Sequence, residues 1–339
     1  MHNDRVVARV EGWHRREGRI VRILERASTR ISGRIEITRT ASFVRPKHRT
    51  VPFEFYVAPN DRGGARNGET VIAEVISYPT DKRPPACRVV KVLERPDEPR
   101  AEVEAIIEEF NLPHRFPRGV HEAAKELGGE IAVADAGRRK DLRHLPTVTI
   151  DGERARDFDD AVSVKITEHG YRLWVHIADV GFFVPWGSPI DMEARKRATS
   201  VYFPDRVIPM LPKELSEDLC SLRPKVERLA FTAEMDFSRD GERLNARFYP
   251  SLILSDERMT YTSVRKILVD QDRHERERYS RLLPDFELMN ELCGVLRQRR
   301  LKRGSLDFDL PEPEVLLDLQ GRPEAIVRAE RNLAHMIIE

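Results

Sequence analysis

Alternation of apolar and polar positions dominates the first hundred residues. Arg5-Val6-Val7-Ala8-Arg9-Val10 and Gly18-Arg19-Ile20-Val21-Arg22-Ile23-Leu24 alternate well enough to predict two strands. Two strands alone cannot make an independent domain. Further runs over Arg30–Ile37, Ser42–Arg45, Phe53–Ala58, Thr70–Tyr78 and Cys87–Leu93 are separated by turn chemistry such as Pro59-Asn60-Asp61-Arg62-Gly63-Gly64 and Pro79-Thr80-Asp81-Lys82. Five short strands at such intervals fit a five-stranded OB-type barrel.

The pattern then changes period. Pro96-Asp97-Glu98-Pro99 breaks the chain, and Val103, Ile106, Ile107 and Phe110 follow at helical spacing. A second helix is expected at about Gly119–Leu127, and with Pro113, Pro117 and Gly128-Gly129 as bounds the stretch 98–144 reads as a helical connector. From Leu145 onward strands are expected at 147–151, 160–166, 171–177, 230–237 and 244–254, and helices at 191–198, 260–269, 280–302 and 330–339. No repeat of fixed period and no low-complexity tract interrupts this order. The expected fold class is α+β, with OB-type β-barrel modules ahead of a mixed α/β domain over 145–339.

In the last helix Leu333, Met336 and Ile337 form an apolar stripe that reaches Glu339 without a cap or polar tail. A chain ending inside an amphipathic helix is expected to be an internal fragment or a mis-called reading frame, with apolar surface left open.

Composition narrows the class. The longest apolar runs fall far short of the ~18 residues of a membrane span, and the charged N-terminus offers no secretory stretch. Cys87, Cys220 and Cys293 are scattered and odd in number, which reads as reduced thiols and a cytoplasmic protein. The net charge of +1 conceals an asymmetry: residues 1–60 hold 13 Lys and Arg against 6 Asp and Glu. A basic module joined to an acidic one suits an enzyme of polyanions, one part gathering phosphates and the other binding a cation. Phe43, Phe53, Phe55 and Tyr56 lie among Arg45, Lys47, His48 and Arg49, a mixture suited to a single-strand platform; at least two of those aromatics are expected in the barrel core instead.

The segment Thr149-Ile150-Asp151-Gly152-Glu153-Arg154-Ala155-Arg156-Asp157-Phe158-Asp159-Asp160 carries the chemistry. Four carboxylates within ten residues repel one another unless a cation neutralises them. Mg²⁺ takes hard oxygen ligands, commonly one or two carboxylates plus waters and substrate phosphates. The competing reading is a solvated acidic loop. Asp151 at a strand end, and Phe158 set between Asp157 and Asp159 as a core anchor, favour the metal site. A calcium hand is excluded because Gly152 follows the first aspartate at once and position twelve is Val162; no Gly-Lys-Ser or Gly-Lys-Thr run supplies a P-loop.

With these residues in place the chain resembles the bacterial ribonuclease R branch of the ribonuclease II family, exonucleases that degrade RNA processively from the 3′ end. The likeness extends through Trp174-Val175-His176-Ile177-Ala178-Asp179-Val180, Thr199 to Pro212, Leu215 to Leu222, Arg303 to Asp309 and Asn332-Leu333-Ala334-His335, in family order over nearly the whole chain. It implies that 1–27 ends a first cold-shock-type module, that 28–97 is a second, and that 145–339 is the N-terminal part of the catalytic domain. It further implies Mg²⁺ (Mn²⁺ as a substitute), nucleoside 5′-monophosphate products, single-stranded RNA as partner and a monomeric complete form. Asp151, Asp157, Asp159 and Asp160 match the four active-site aspartates, Asp151 and Asp160 being the first choices as ligands and Asp159 the one tied most directly to catalysis. Tyr261 matches a tyrosine that clamps the terminal nucleotide, Tyr202 one that contacts bases, and Glu339 a glutamate near the active site. A later arginine-bearing segment and a C-terminal RNA-binding domain of the family have no counterpart here, so slow or absent hydrolysis is expected of this chain alone. Phe43 and Phe55 are the barrel candidates for RNA contact; Lys213, Arg206 and Arg223 are candidate phosphate contacts; His176 is expected to be structural.

Two function classes remain open: a metal-dependent 3′→5′ exoribonuclease, and a non-catalytic RNA-binding fragment that keeps the platform and has lost hydrolysis. Retention of all four aspartates favours the first, and the absence of the downstream arginine segment favours the second. An inactive scaffold is disfavoured because all four aspartates are kept.

Overall fold

The computed structural model describes residues 4–12, 17–26, 29–47, 51–80, 83–93, 99–128, 137–306, 308, 310, 312–318 and 320–339. His48, Arg49, the Asp81-Lys82 turn, most of the Pro96-to-Pro99 break, Gly129, Asp307 and Asp309 lie outside the described residues. Two compact units result: one holds 1–115, 202–208 and 315–326, the other 116–201, 209–314 and 327–339.

In the first unit β1 (Arg5–Gly12) and β2 (Glu17–Glu25) form an antiparallel hairpin. The strands β3 (Arg30–Ile37), β4 (Ser42–Pro46), β5 (Phe55–Tyr56), β6 (Thr70–Ser77) and β7 (Ala86–Val92) close a barrel in the order β3-β4-β5-β7-β6. Alternate residues turn inward, and Ile31, Ile35, Val44, Phe55, Val57, Val71 and Val89 fill the centre. At Gly33 a Cβ would stand 2.4 Å from the Arg45 carbonyl oxygen, so only glycine lets β3 and β4 approach there. β5 is shorter than the expected Phe53–Ala58.

Helix α1 (Pro99–Glu109) lies on this barrel. Ala105 packs with Ile72 and Leu93, Arg30 pairs with Glu108 at 2.7 Å, and Ser32 Oγ donates to Glu109 at 2.7 Å. Helix α2 (Arg118–Glu126) belongs to the second unit. The single connector expected over 98–144 is therefore divided, because α1 finds its apolar partner on the barrel surface.

The second unit is built on a seven-stranded sheet in the order β16-β9-β10-β11-β14-β15-β8. Its strands are β8 (Lys140–Asp141), β9 (Val148–Asp151), β10 (Asp160–Thr167), β11 (Gly170–Ala178), β14 (Glu227–Ser238), β15 (Arg243–Leu254) and β16 (Glu257–Thr260). Neighbours are antiparallel except at the edges, where β16 runs parallel to β9 and β8 to β15. Along β10, Val162 and Val164 enter one core with α5 (Tyr261–Leu268) and α7 (Leu283–Lys302), which contribute Val264, Ile267, Phe286 and Met289. Ala161 enters the opposite core with Trp174, Ala230, Leu215, α3 (Val180–Phe183), represented by Phe183, and α4 (Pro189–Arg197), represented by Ile190.

Three features differ from expectation. The helix expected at 280–302 is α7, beginning three residues later, and α6 (Arg273–Arg278) is an additional helix ahead of it. The strands β16, β17 (Pro313–Leu317) and β18 (Pro323–Arg328) and a π-helical turn over Glu214–Leu219 are additional. Of the apolar stripe of α8 (Leu333–Ile338), Ile337 packs into the α5–α7 core with Ile338 and the fully buried Ala334, and Leu333 and Met336 are half-buried.

His176 is structural, as its alternating strand suggested. It sits fully buried between Ser163 Oγ (3.2 Å) and Thr232 Oγ1 (2.8 Å), and burial pushes its imidazole down to about 4, so it is neutral.

Candidate active site

β9 and β10 are antiparallel neighbours, so the end of one and the start of the other lie at the same edge of the sheet. That places Asp151, the last residue of β9, beside Asp160, the first of β10. Residues 152–159 join them as a loop that the second core pins. Phe158 is buried in that core, its N–H donates to Ser221 Oγ at 3.2 Å, and its carbonyl accepts from Leu222 N–H at 2.9 Å. Ser221 Oγ donates in turn to the Arg156 carbonyl at 2.8 Å, and the Asp159 carbonyl accepts from Ala178 N–H at 2.9 Å. The Arg228 guanidinium locks the pinning segment itself, donating to the Ser221 carbonyl and to Asp218 Oδ1, both at 2.9 Å.

The loop thus holds carboxylates that electrostatics alone would separate. Burial pushes Asp151 up to about 6, and the charges of Asp160 and Asp157 add to the rise. Asp159 is raised by burial and then by Asp157 and Asp160, and Asp160 is raised by burial. Asp151 Oδ2 is buried without a hydrogen-bond partner. The Thr149 hydroxyl and the Arg258 charge offset the rise at Asp151 only in part, and an unpartnered anionic oxygen beside like charges is the setting a hard cation would relieve. No three His, Cys, Asp or Glu side chains among the described residues converge closely enough to cage an ion unaided. An octahedral ion that keeps its waters and takes one or two carboxylates has no need of such a cage.

The other wall comes from β16 and α5. Thr260 lies opposite Asp151 in the parallel pairing, and its Oγ1 accepts from Ser263 N–H at 3.0 Å to cap α5. Tyr261, next in sequence, is thereby brought to the carboxylates: burial raises its hydroxyl first, and the charges of Asp151, Asp160 and Glu339 follow. Its ring stacks on His335 with centroids 3.8 Å apart and planes at 19°. Glu339 Oε1 accepts from Arg331 Nε at 2.9 Å.

Of the residues expected at the site, the structure gathers Asp151, Asp157, Asp159, Asp160, Tyr261 and Glu339 in one unit. Tyr202, Phe43 and Phe55 belong to the other. Tyr202 lies in the hairpin of β12 (Val201–Tyr202) and β13 (Val207–Ile208) and is 67 % exposed. Phe55 is a correction: it is 0 % exposed in the barrel core and has no face for a nucleobase. Half-buried Phe43 instead meets Tyr56 edge-to-face at 6.0 Å, and Tyr56 is 38 % exposed. Arg45 is held between Glu36 and Glu54, each at 2.8 Å. The candidate phosphate contacts are likewise paired, Lys213 with Glu217, Arg206 with Asp205 and Arg223 with Asp218. Sequence reasoning missed the roles of Ser221, Arg228 and His335; Arg228 leaves no local pattern, whereas Ser221 sits inside the Leu215-to-Leu222 run and His335 closes the Asn332-to-His335 segment.

Comparison with known proteins identifies this arrangement. The RNB domain matches residues 139–339, and the cold shock domain matches residues 43–117. Ribonuclease R of Thermotoga maritima is 42 % identical over 346 residues, covering 100 % of this chain and 48 % of its own. Ribonuclease R of Escherichia coli is 40 % identical, over 100 % of this chain and 42 % of its own. The chain thus spans somewhat under half the length of these curated relatives. Among solved structures, Mycoplasma genitalium RNase R in complex with ribose-methylated single-stranded RNA is similar with a TM-score of 0.83 and 26 % identity, over 95 % of this chain and 51 % of that one. Yeast Ssd1, a pseudonuclease, shares the fold at a TM-score of 0.71 and 15 % identity. With the RNB match spanning the sheet, the carboxylate loop and the helices behind it, the chain belongs to the RNB domain family and carries a cold shock domain ahead of that domain.

Proposed function

We propose that this chain supplies the hydrolytic site of a cytoplasmic 3′→5′ exoribonuclease, which shortens single-stranded RNA processively to nucleoside 5′-monophosphates with Mg²⁺, or Mn²⁺ in its place, and is monomeric in its complete form. The observation that carries this reading is the strained carboxylate group: Asp151, Asp159 and Asp160 all sit above their ordinary range, and Asp151 Oδ2 has no partner. A solvated acidic loop would show neither feature.

Asp151 and Asp160 are the residues that would hold the cation, with Asp157 beside them. A divalent cation there supplies a water of lowered pKa and neutralises charge on the phosphoryl oxygens. The raised pKa of Asp159 suits a group that orients the attacking water and accepts its proton. The Tyr261 hydroxyl, protonated at neutral pH and within the field of the same carboxylates, would donate to the terminal phosphate and orient the last nucleotide. Tyr56 and Tyr202 offer exposed rings on which bases of a single strand can stack without regard to sequence.

The test is a 5′-labelled single-stranded oligoribonucleotide incubated with a full-length protein that carries this chain, because the chain spans under half the length of its relatives. Stepwise shortening from the 3′ end that requires Mg²⁺ or Mn²⁺ and yields mononucleotides is the expected result. Binding without any shortening favours the non-catalytic reading, and internal cuts or cleavage in EDTA would overturn the mechanism.

A further inference from the structure

We infer that His335 is a positioning residue for Tyr261, fixing the plane of the phenol against which the RNA end is presented. The inference rests on the functional reading above but begins from geometry. The imidazole lies nearly parallel to the Tyr261 ring, 3.8 Å away and tilted by 19°. One face of the tyrosine is therefore occupied, and no ligand can stack there. The hydroxyl end lies within the field of Asp151, Asp160 and Glu339.

The imidazole is itself held. Asn332 caps α8, its Oδ1 accepting from Ala334 N–H at 2.9 Å, while the Asn332 N–H donates to His335 Nδ1 at 3.1 Å. This reciprocal capping box sets the orientation of the side chain three residues into the helix. A residue that serves only as a cap needs no flat contact with a tyrosine from another helix, and a residue that serves only as a stacking partner needs no cap. His335 does both, which ties the start of α8 to the start of α5 at the point where Tyr261 meets the carboxylates.

The two roles separate in two substitutions. His335→Gln keeps a side chain that completes the capping box but removes the ring; His335→Phe keeps the ring and removes the capping acceptor. With ring-labelled tyrosine, the Tyr261 signals of the free protein are expected to lose their ring-current shift in His335→Gln and to keep it in His335→Phe. In the RNA-shortening assay, kcat is expected to fall roughly three- to tenfold in His335→Gln, the range of one aromatic pair, and to recover to within about twofold in His335→Phe. Unchanged Tyr261 signals in His335→Gln would overturn the inference, as would a His335→Phe protein as impaired as His335→Gln. Because the spectroscopic arm uses no RNA and no metal, a protein that shortens no RNA at all sinks the proposed function while leaving the positioning role to be decided by the tyrosine signals.

Discussion

Replacing Asp151 by asparagine should stabilise the metal-free protein at neutral pH, an unusual outcome for a residue at a strand end. Asp151 is held at about 6 rather than 3.8 by burial and by Asp160 and Asp157. The sign follows from linkage. Between these values the folded chain binds more protons than the unfolded chain, so stability falls as pH rises through that window and stays lower above it. For a group shielded from solvent the displacement corresponds to about 3 kcal/mol. Asp151 is only partly buried, and solvent screening brings this to about 1.5 kcal/mol. Asparagine has nearly the same shape and no charge. In EDTA at pH 7.5 the transition of the RNB unit should therefore rise by about 3–6 °C in Asp151→Asn, and the difference should vanish by about pH 4. Adding Mg²⁺ at about ten times its Kd should raise the unsubstituted protein by about 1.4 kcal/mol and the variant by far less. A variant that is less stable in EDTA by the same amount at pH 4 and pH 7.5 would refute the charge argument, because its deficit would then come from packing.

The strands of the barrel and of the central sheet were legible because their signal is local: alternation of period two survives whatever the partner strand turns out to be. Phe158 was legible as an anchor for a similarly local reason, since an aromatic ring gains nothing within an acidic run unless a core receives it. What the sequence hid depends on contacts between distant positions. Ser221 serves Phe158 across 63 residues, and neither residue carries a mark of the other. Strand β16 is four residues long and too short to show a period, so its pairing with β9, which delivers Tyr261, could not be read. The misassignment of Phe55 was avoidable. Glu54 and Tyr56 share one face of an alternating strand, and Phe55 and Val57 share the other, so the charged residue already indicated which face meets solvent. The apolar stripe of α8 is visible as a stripe, but its cover comes from α5 and α7, which periodicity cannot locate.

The remaining predictions concern separate parts of the molecule. Asp159→Asn should abolish RNA shortening and leave RNA affinity within a few-fold, since it alters the carboxylate group and not the barrel; parallel loss of both activities by filter binding and gel assay would count against the assignment. Phe55→Ala should cost about 3–5 kcal/mol of barrel stability, whereas Tyr56→Ala should leave the melting curve in place and weaken RNA binding by about 1–3 kcal/mol; reversal of these two patterns would mean the faces of β5 are wrongly assigned. Ser221→Ala tests the loop itself. The hydroxyl is fully buried and serves both the Phe158 N–H and the Arg156 carbonyl, so its removal leaves two backbone groups without a partner at about 1–3 kcal/mol each. The strands on either side keep their own ladders, so the cost should appear as local opening of the loop rather than as loss of the sheet. Amide exchange over residues 152–159 should then quicken by tenfold or more while β10 and β11 keep their protection, and Mg²⁺ affinity should fall because the carboxylates are no longer held together. Unchanged exchange in that loop would mean that Phe158 alone suffices to pin it and that Ser221 is not the clamp.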